Sequence, residues 1–182
     1  MIQKKIKAVL IFLGISVCLS IPSSFLVGII LPVTVEQVKT KSFYVAKPML
    51  WYVLSDLESY PIWKPELRDI EYITDGIKPV QFTEYIQAEK RKEWQVLSWE
   101  PQKKLEIKLA PSKRYIERMV YTIREQEETL LLSLRFSGTY INPFRRFLKR
   151  FVHHQGKQLD AILIGVDEQL KRLSEELDLG SN

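Results

Sequence analysis

The sequence predicts an α+β domain in which a curved antiparallel sheet of about six to seven strands wraps around a long C-terminal helix, behind one N-terminal transmembrane helix. Three features predict this arrangement. Residues 8–31 contain no charged side chain, residues 68–140 consist of short extended runs separated by turn signals, and residues 143–177 carry apolar side chains at helical spacing. The 46% apolar content of the 182 residues is sufficient for one core without disulfides.

The first element is a predicted membrane anchor. Lys4, Lys5 and Lys7 precede the uncharged run, which at 1.5 Å per residue is long enough to cross a hydrocarbon core of about 30 Å. A cleaved signal peptide is the main alternative, and a lipid-modified Cys18 is a weaker one. The apolar run resumes as residues 25–31 after the polar Ser23 and Ser24, which favours a retained anchor.

The predicted organisation is a basic tail at residues 1–7, an anchor at 8–32, a folded domain at 33–178 and a tail at 179–182. Lysines lie on both sides of the span, at positions 4, 5 and 7 and again at 39, 41 and 47, so the positive-inside comparison is nearly a tie. A short basic tail before a first span usually stays in the cytoplasm. We therefore expect a single-pass protein with an extracytoplasmic domain, the cytoplasmic face being the alternative.

The folded part begins with a predicted strand, Val33–Val45, and a helix, Pro48–Asp56, which Pro48 opens. Two prolines within residues 59–65 allow only a very short second helix or a turn. Six extended runs then follow and predict an antiparallel meander: Arg68–Thr74, Val80–Gln87, Arg91–Trp99, Lys104–Leu109, Arg114–Arg124 and Leu130–Tyr140.

Asn142 and Pro143 open the last predicted helix as cap and first-turn residue. Its apolar stripe, which begins at Phe144 and includes Phe151, continues to Leu177 without another proline. A helix of about 35 residues is about 50 Å long and must cross the whole sheet. We expect it to pack on the concave face of that sheet.

Residues 46–65 also resemble a known family. The segment Asp56-Leu57-Glu58-Ser59-Tyr60-Pro61-Ile62-Trp63 is similar to the short second helix of the SRPBCC superfamily, the START-like and birch-pollen-allergen-like helix-grip proteins that include polyketide cyclase/dehydrase and lipid-transport proteins. The junction at Leu31-Pro32 resembles membrane-anchored bacterial members. Lys47 departs from the small residue or proline common in the family. The resemblance implies a helix-grip fold with a hydrophobic cavity between the sheet and the terminal helix.

Several kinds of chemistry lack their sequence signals. The net charge of +5 is interleaved with acidic residues and has no nucleic-acid-binding motif. The only histidines, His153 and His154, point about 100° apart on a helix and rarely share a metal, so no metal site is predicted. No nucleophile elbow or phosphate-binding glycine loop is present, and no cofactor is expected. Glu71 and Glu84 are expected on a solvated sheet surface.

The candidate site residues are mainly aromatic. Those expected to line the ligand cavity, or else to fill the core, are Trp51, Trp63, Tyr85, Trp94, Tyr115, Met119, Tyr121, Phe136, Phe151 and Leu159. Arg118 and Arg135 are candidates for orienting an anionic headgroup, unless they face outward. Arg145, Arg146, Lys149 and Arg150 are candidates for contact with anionic lipid, unless they form an ordinary solvated helix face.

The sequence leaves three functions open. The first, implied by the resemblance, is a membrane-tethered domain that binds a lipid or another hydrophobic small molecule without a covalent step. The second is a cyclase- or hydratase-type enzyme in the same fold, which needs a buried polar group with a shifted pKa. The third is an interaction module at the membrane surface, which a cavity too small for a ligand would favour.

Overall fold

The computed structural model describes residues 22–64, 66–76, 78–86, 90–110, 115–151 and 155–180. Seven strands form one antiparallel sheet in the order β1-β7-β6-β5-β4-β3-β2. The strands are β1 (Thr34–Phe43), β2 (Leu67–Asp75), β3 (Lys78–Ile86), β4 (Lys90–Glu100), β5 (Lys104–Leu109), β6 (Tyr115–Gln126) and β7 (Thr129–Tyr140). The predicted α+β class and antiparallel meander are confirmed.

The described residues also form five helices. They are α1 (residues 22–30), α2 (Lys47–Ser55), α3 (Tyr60–Trp63), α4 (Pro143–Phe151) and α5 (Gln155–Gly180), with a 3₁₀ turn at Leu57–Ser59. Pro48 lies in the first turn of α2 and Pro61 in that of α3, where a missing N–H leaves no helical bond unmade. The long helix α5 buries Leu159, Leu163, Val166 and Leu170. We call the face of the sheet that α5 covers the inner face.

Two close contacts fix the helices. A Cβ on Gly165 of α5 would lie 2.0 Å from the backbone oxygen of Trp63, so only glycine lets α5 approach α3 this closely. The ring of Trp63 stacks edge-on against Tyr60 at 4.7 Å between centroids, and the Tyr60 hydroxyl donates to the carbonyl of Leu54. These contacts tie α2, α3 and α5 into one layer over the inner face.

The C-terminal segment that the sequence predicts as a single helix is described in two stretches. The structure describes α4 and α5 separately, and residues 152–154, with His153 and His154, lie outside the described residues. None of the nine residues of α4 is buried. Phe144 and Phe151, which the sequence pattern placed in the packing stripe, are 38% and 54% exposed. Among the described residues, the fully buried part of the stripe lies in α5.

The predicted membrane span falls mainly outside the described part of the chain, which begins at residue 22. Residues 22–30 form α1, the last part of the uncharged run. No helix among the described residues combines the length and the apolar character that crossing a bilayer requires. A Cβ on Gly28 would lie 2.0 Å from the backbone oxygen of Pro143, so α1 packs directly against the start of α4.

Candidate functional site

A cavity lies between the inner face of the sheet and α5. Its apolar wall consists of Leu67, Ile86, Trp94, Ile107, Met119, Phe136, Ala161 and Ile162, with the ring of Tyr121 beside them. The strand register explains this grouping, because Ile107 pairs with Met119 and Met119 pairs with Phe136, which places the three side chains in one row across the inner face. The cavity volume is about 90 Å³.

That volume limits what the cavity holds as it stands. Pockets for drug-sized ligands measure about 300–1,000 Å³, and an apolar cavity of about 150 Å³ accommodates benzene. The cavity is smaller than either of these. Its rim contains half-buried side chains of Ile86, Lys92 and Gln158, which can turn outward without unpacking the core.

One end of the cavity contains a buried ion pair. Glu84 of β3 is 7% exposed, accepts a hydrogen bond from Lys64 Nζ at 2.9 Å, and accepts another from the indole N–H of Trp94 at 2.8 Å. Burial alone would raise the pKa of Glu84, but the charge and hydrogen bond of Lys64, with the Trp94 N–H and the charge of Lys92, outweigh burial and hold the pKa below its ordinary value. Glu84 is therefore ionised at neutral pH.

Lys64 is held in turn by aromatic rings. Its ammonium group lies 3.9 Å from the centroid of the Tyr60 ring and 5.3 Å from that of Trp63. Cation–π contacts of this kind stabilise a desolvated ammonium group by about 2 kcal/mol. The ion pair is thus supported on both sides, by rings around the lysine and by an indole N–H on the carboxylate.

A second buried carboxylate, Glu117 of β6, lines the same cavity. It accepts a hydrogen bond from the Tyr140 hydroxyl at 2.6 Å and forms an ion pair with Lys149 Nζ of α4 at 2.9 Å. Gly138 pairs with Glu117 across the strands, and a Cβ there would lie 2.5 Å from the Tyr140 hydroxyl. The absence of a side chain at position 138 therefore makes room for this bond. Burial raises the pKa of Tyr140 far above its ordinary range, so the hydroxyl keeps its proton.

Tyr121 is the uncommitted donor of the cavity. It is 1% exposed, and no hydrogen bond of its hydroxyl to another described residue is present. Burial, with the nearby charge of Glu84, raises the pKa of Tyr121 well above its ordinary range. The hydroxyl therefore remains a neutral donor, and it can bind an acceptor atom of a ligand within otherwise apolar walls.

The structure divides the predicted cavity candidates. Trp94, Met119, Tyr121 and Phe136 line the cavity. The other six do not line it. Trp51 packs edge-on against Trp99, Trp63 lies under α5, and Leu159 is in the core. Tyr115 stacks on Tyr140, Phe151 is largely exposed, and the Tyr85 hydroxyl donates to Glu71 on the outer face. Aromatic character alone did not separate core positions from cavity positions.

The headgroup candidates lie on the wrong face for a role in this cavity. Along β6, Glu117, Met119 and Tyr121 point inward, so Arg118 points outward, where it pairs with Glu106 at 3.1 Å. Arg135 also lies on the outer face, in a polar groove with Arg118. The alternation of a strand is the reason, since neighbouring residues face opposite sides.

The important polar residues of the cavity were not among the predicted site residues. The expectation that Glu84 is solvated is wrong. A signal was present: Glu84 alternates with Phe82 and Ile86, and Glu117 with Met119 and Tyr121. An acidic residue in register with inward apolar positions indicates a buried carboxylate. Among the described residues, no cluster of metal-ligating side chains is present.

The basic cluster of α4 is mostly engaged within the protein. Lys149 bonds Glu117, Arg145 lies 4.9 Å from the centroid of the Tyr115 ring, and Arg146 donates to backbone carbonyls. Arg150 is exposed.

Comparison with solved structures identifies the fold. A START superfamily protein from Mycobacterium smegmatis superposes with a TM-score of 0.61 at 15% identity, over 76% of this chain and 98% of that one. The Zhui aromatase/cyclase from Streptomyces sp. R1128 superposes with a TM-score of 0.58 at 14% sequence identity, over 76% of this chain and 94% of that one. Norcoclaurine synthase from Thalictrum flavum superposes with a TM-score of 0.57 at 11% sequence identity, over 76% of this chain and 88% of that one. No protein-family model and no curated protein matches this sequence. The chain thus has the helix-grip fold of START and aromatase/cyclase proteins.

Proposed function

We propose that this protein is a membrane-tethered helix-grip domain that binds a lipid or another hydrophobic small molecule, without a covalent step, between the sheet and α5. The observation that carries the proposal is the cavity itself, with apolar walls and a buried donor, the Tyr121 hydroxyl, which bonds no other described residue. An apolar pocket with a few directed polar groups is the usual form of a ligand site. The likeness to structural neighbours with enzyme names is a likeness of fold.

The small volume of the cavity determines what ligand binding requires. At about 90 Å³ the cavity is too small for an acyl chain, so a ligand must displace the rim side chains Ile86, Lys92 and Gln158 and turn Met119. Met119 suits this role because its unbranched thioether adapts its shape at low cost. We infer a cavity that opens with its ligand, which an interaction module with a filled core would not do.

The buried acids favour binding over proton transfer. An acid–base catalyst needs a pKa near the working pH, whereas the pKa of Glu84 is lowered and both of its oxygens accept hydrogen bonds. Glu117 is likewise held by Tyr140 and Lys149. These groups position one another, and Tyr121 is the one that we assign to the ligand.

The tether is proposed from the sequence. Residues 8–32 form the anchor in this proposal, and the short basic tail before them favours a domain on the extracytoplasmic side. The domain then starts at residue 33, directly before β1.

The test is native mass spectrometry of the full chain released from detergent micelles. We expect a co-purified hydrophobic molecule in the wild type and its loss in Ala161→Phe, because Ala161 is an exposed residue at the mouth of the cavity and a ring there blocks it. Ile164→Phe is the matched control, since Ile164 is exposed on α5 and does not line the cavity. A wild type without ligand, or an Ala161→Phe variant that retains it, would contradict the proposal.

A further inference from the structure

Helix α4 is amphipathic, and its two faces are opposite each other. Consecutive residues are about 100° apart on a helix, so Phe144, Phe147, Leu148 and Phe151 share one arc, which we call the apolar face of α4. Arg145, Arg146, Lys149 and Arg150 occupy the opposite arc. The rings of Phe147 and Phe151 are 5.1 Å apart between centroids, as expected for neighbours on that face.

The orientation of α4 on the domain is the reverse of the usual one. A surface helix normally turns its apolar face to the core. Here the basic arc turns inward: Lys149 bonds the buried Glu117, and Arg145 lies over the ring of Tyr115. The two ends of the apolar face of α4 are at the surface, where Phe144 is 38% and Phe151 54% exposed, and Phe147 and Leu148 between them are half-buried. Exposed rings at both ends of one helix face are typical of an interaction surface.

Helix α1 continues the same surface. Gly28 of α1 contacts Pro143, and Arg146 donates to the carbonyl of Leu31 at 3.1 Å and to that of Ile141 at 2.9 Å. Phe25, Leu26, Ile29 and Ile30 of α1 are 45%, 62%, 53% and 85% exposed. Exposed apolar side chains thus extend from the last part of the uncharged run onto α4.

The charge distribution selects the partner. From residue 145 to residue 157 the chain contains five basic residues and no acid, and Arg150 and Lys157 are exposed. An exposed apolar face with exposed basic side chains near it is the pattern of a helix that lies in a membrane interface, with its apolar side about 5–10 Å into the headgroup boundary. Arg150 and Lys157 can attract anionic lipid, whereas Arg145, Arg146 and Lys149 are engaged within the domain.

We propose that α4 lies in the plane of an anionic bilayer and inserts its apolar face beside α1, so that the domain is docked on the membrane as well as tethered to it. The inference rests on the tether of the proposed function and not on ligand binding. Because Lys149 bonds a carboxylate of the cavity wall, docking places that end of the cavity directly behind the membrane-bound helix α4.

The experiment uses the full chain with Cys18→Ser, which removes its only cysteine, and an NBD fluorophore on Phe151→Cys. The labelled protein is reconstituted in vesicles of phosphatidylcholine and phosphatidylglycerol that contain a spin-labelled lipid. We expect the lipid quencher to lower the NBD emission by about twofold or more, the result of insertion to the headgroup boundary. Ile73→Cys, 61% exposed on β2, is the control and should be unaffected.

Each result has a definite meaning. Quenching at position 151 but not at position 73 supports docking, and a second label at Phe144→Cys should repeat it if Phe151→Cys perturbs the helix. A chain that floats with the vesicles but shows equal, weak quenching at both positions overturns docking and leaves the tether intact. A chain that does not float overturns both. A change at position 151 that disappears on dilution of the protein in excess lipid indicates a second copy instead of lipid, and also overturns the proposal.

Discussion

The ion pair between Lys64 and Glu84 gives the sharpest test of how the cavity is stabilised. The two charged groups are 2.9 Å apart, with 12% and 10% of their side chains exposed. Removing one partner of a buried pair leaves an uncompensated charge and costs about 3–5 kcal/mol. Because the Trp94 N–H still bonds Glu84, we expect Lys64→Met to lower the free energy of unfolding by about 3 kcal/mol, the low end of that range.

The matched control is an exposed pair of similar geometry. Lys39 and Asp160 are 3.0 Å apart, but their side chains are 41% and 48% exposed. We expect Lys39→Met to change the free energy of unfolding by less than about 1 kcal/mol. The assay is urea unfolding of the full chain in a mild detergent, followed by tryptophan fluorescence. Equal effects of Lys64→Met and Lys39→Met would refute the assignment of a buried pair.

Two further measurements separate charge from packing. The double variant Lys64→Met/Glu84→Gln removes both charges, so it should be more stable than Lys64→Met alone by about 1 kcal/mol or more. The pH dependence should also reverse. In the wild type the lowered pKa of Glu84 contributes stability above about pH 4.3, which is lost as the pH falls through the folded-state value. In Lys64→Met burial is no longer offset by the lysine, and the variant should lose stability as the pH rises.

Two predictions concern the close contacts around the cavity. Gly165→Ala places a Cβ against the backbone oxygen of Trp63, and overpacking of this kind should lower the free energy of unfolding by about 1–3 kcal/mol in the same urea assay. Ile164→Ala, at an exposed position, is its control. Equal urea midpoints of the two variants would contradict the close approach of α5 to α3. Tyr140→Phe removes a donor from the buried Glu117 and should cost about 1.5–3 kcal/mol. A Tyr140→Phe protein as stable as the wild type would show that Lys149 alone satisfies this carboxylate.

Much of the fold was predictable because its signals are local. Period-two alternation and turn residues predicted the meander, and a proline after an asparagine predicted where α4 begins. The buried acids were predictable in principle from the same alternation, since Glu84 and Glu117 occupy inward positions of β3 and β6. Their burial was missed because an acidic residue was taken to indicate a solvated face.

The sequence by itself determined the class, the order of the strands and the alternation of side chains along each strand, because backbone sterics and side-chain spacing act over a few residues. Only the tertiary structure decided the counter-ions Lys64 and Lys149, which come from other elements. It also decided the orientation of α4. An amphipathic pattern indicates that a helix has an apolar and a polar face. Which face turns inward depends on the side chains that the helix packs against, and here these are the buried carboxylate of Glu117 and the rings of Tyr115 and Tyr140.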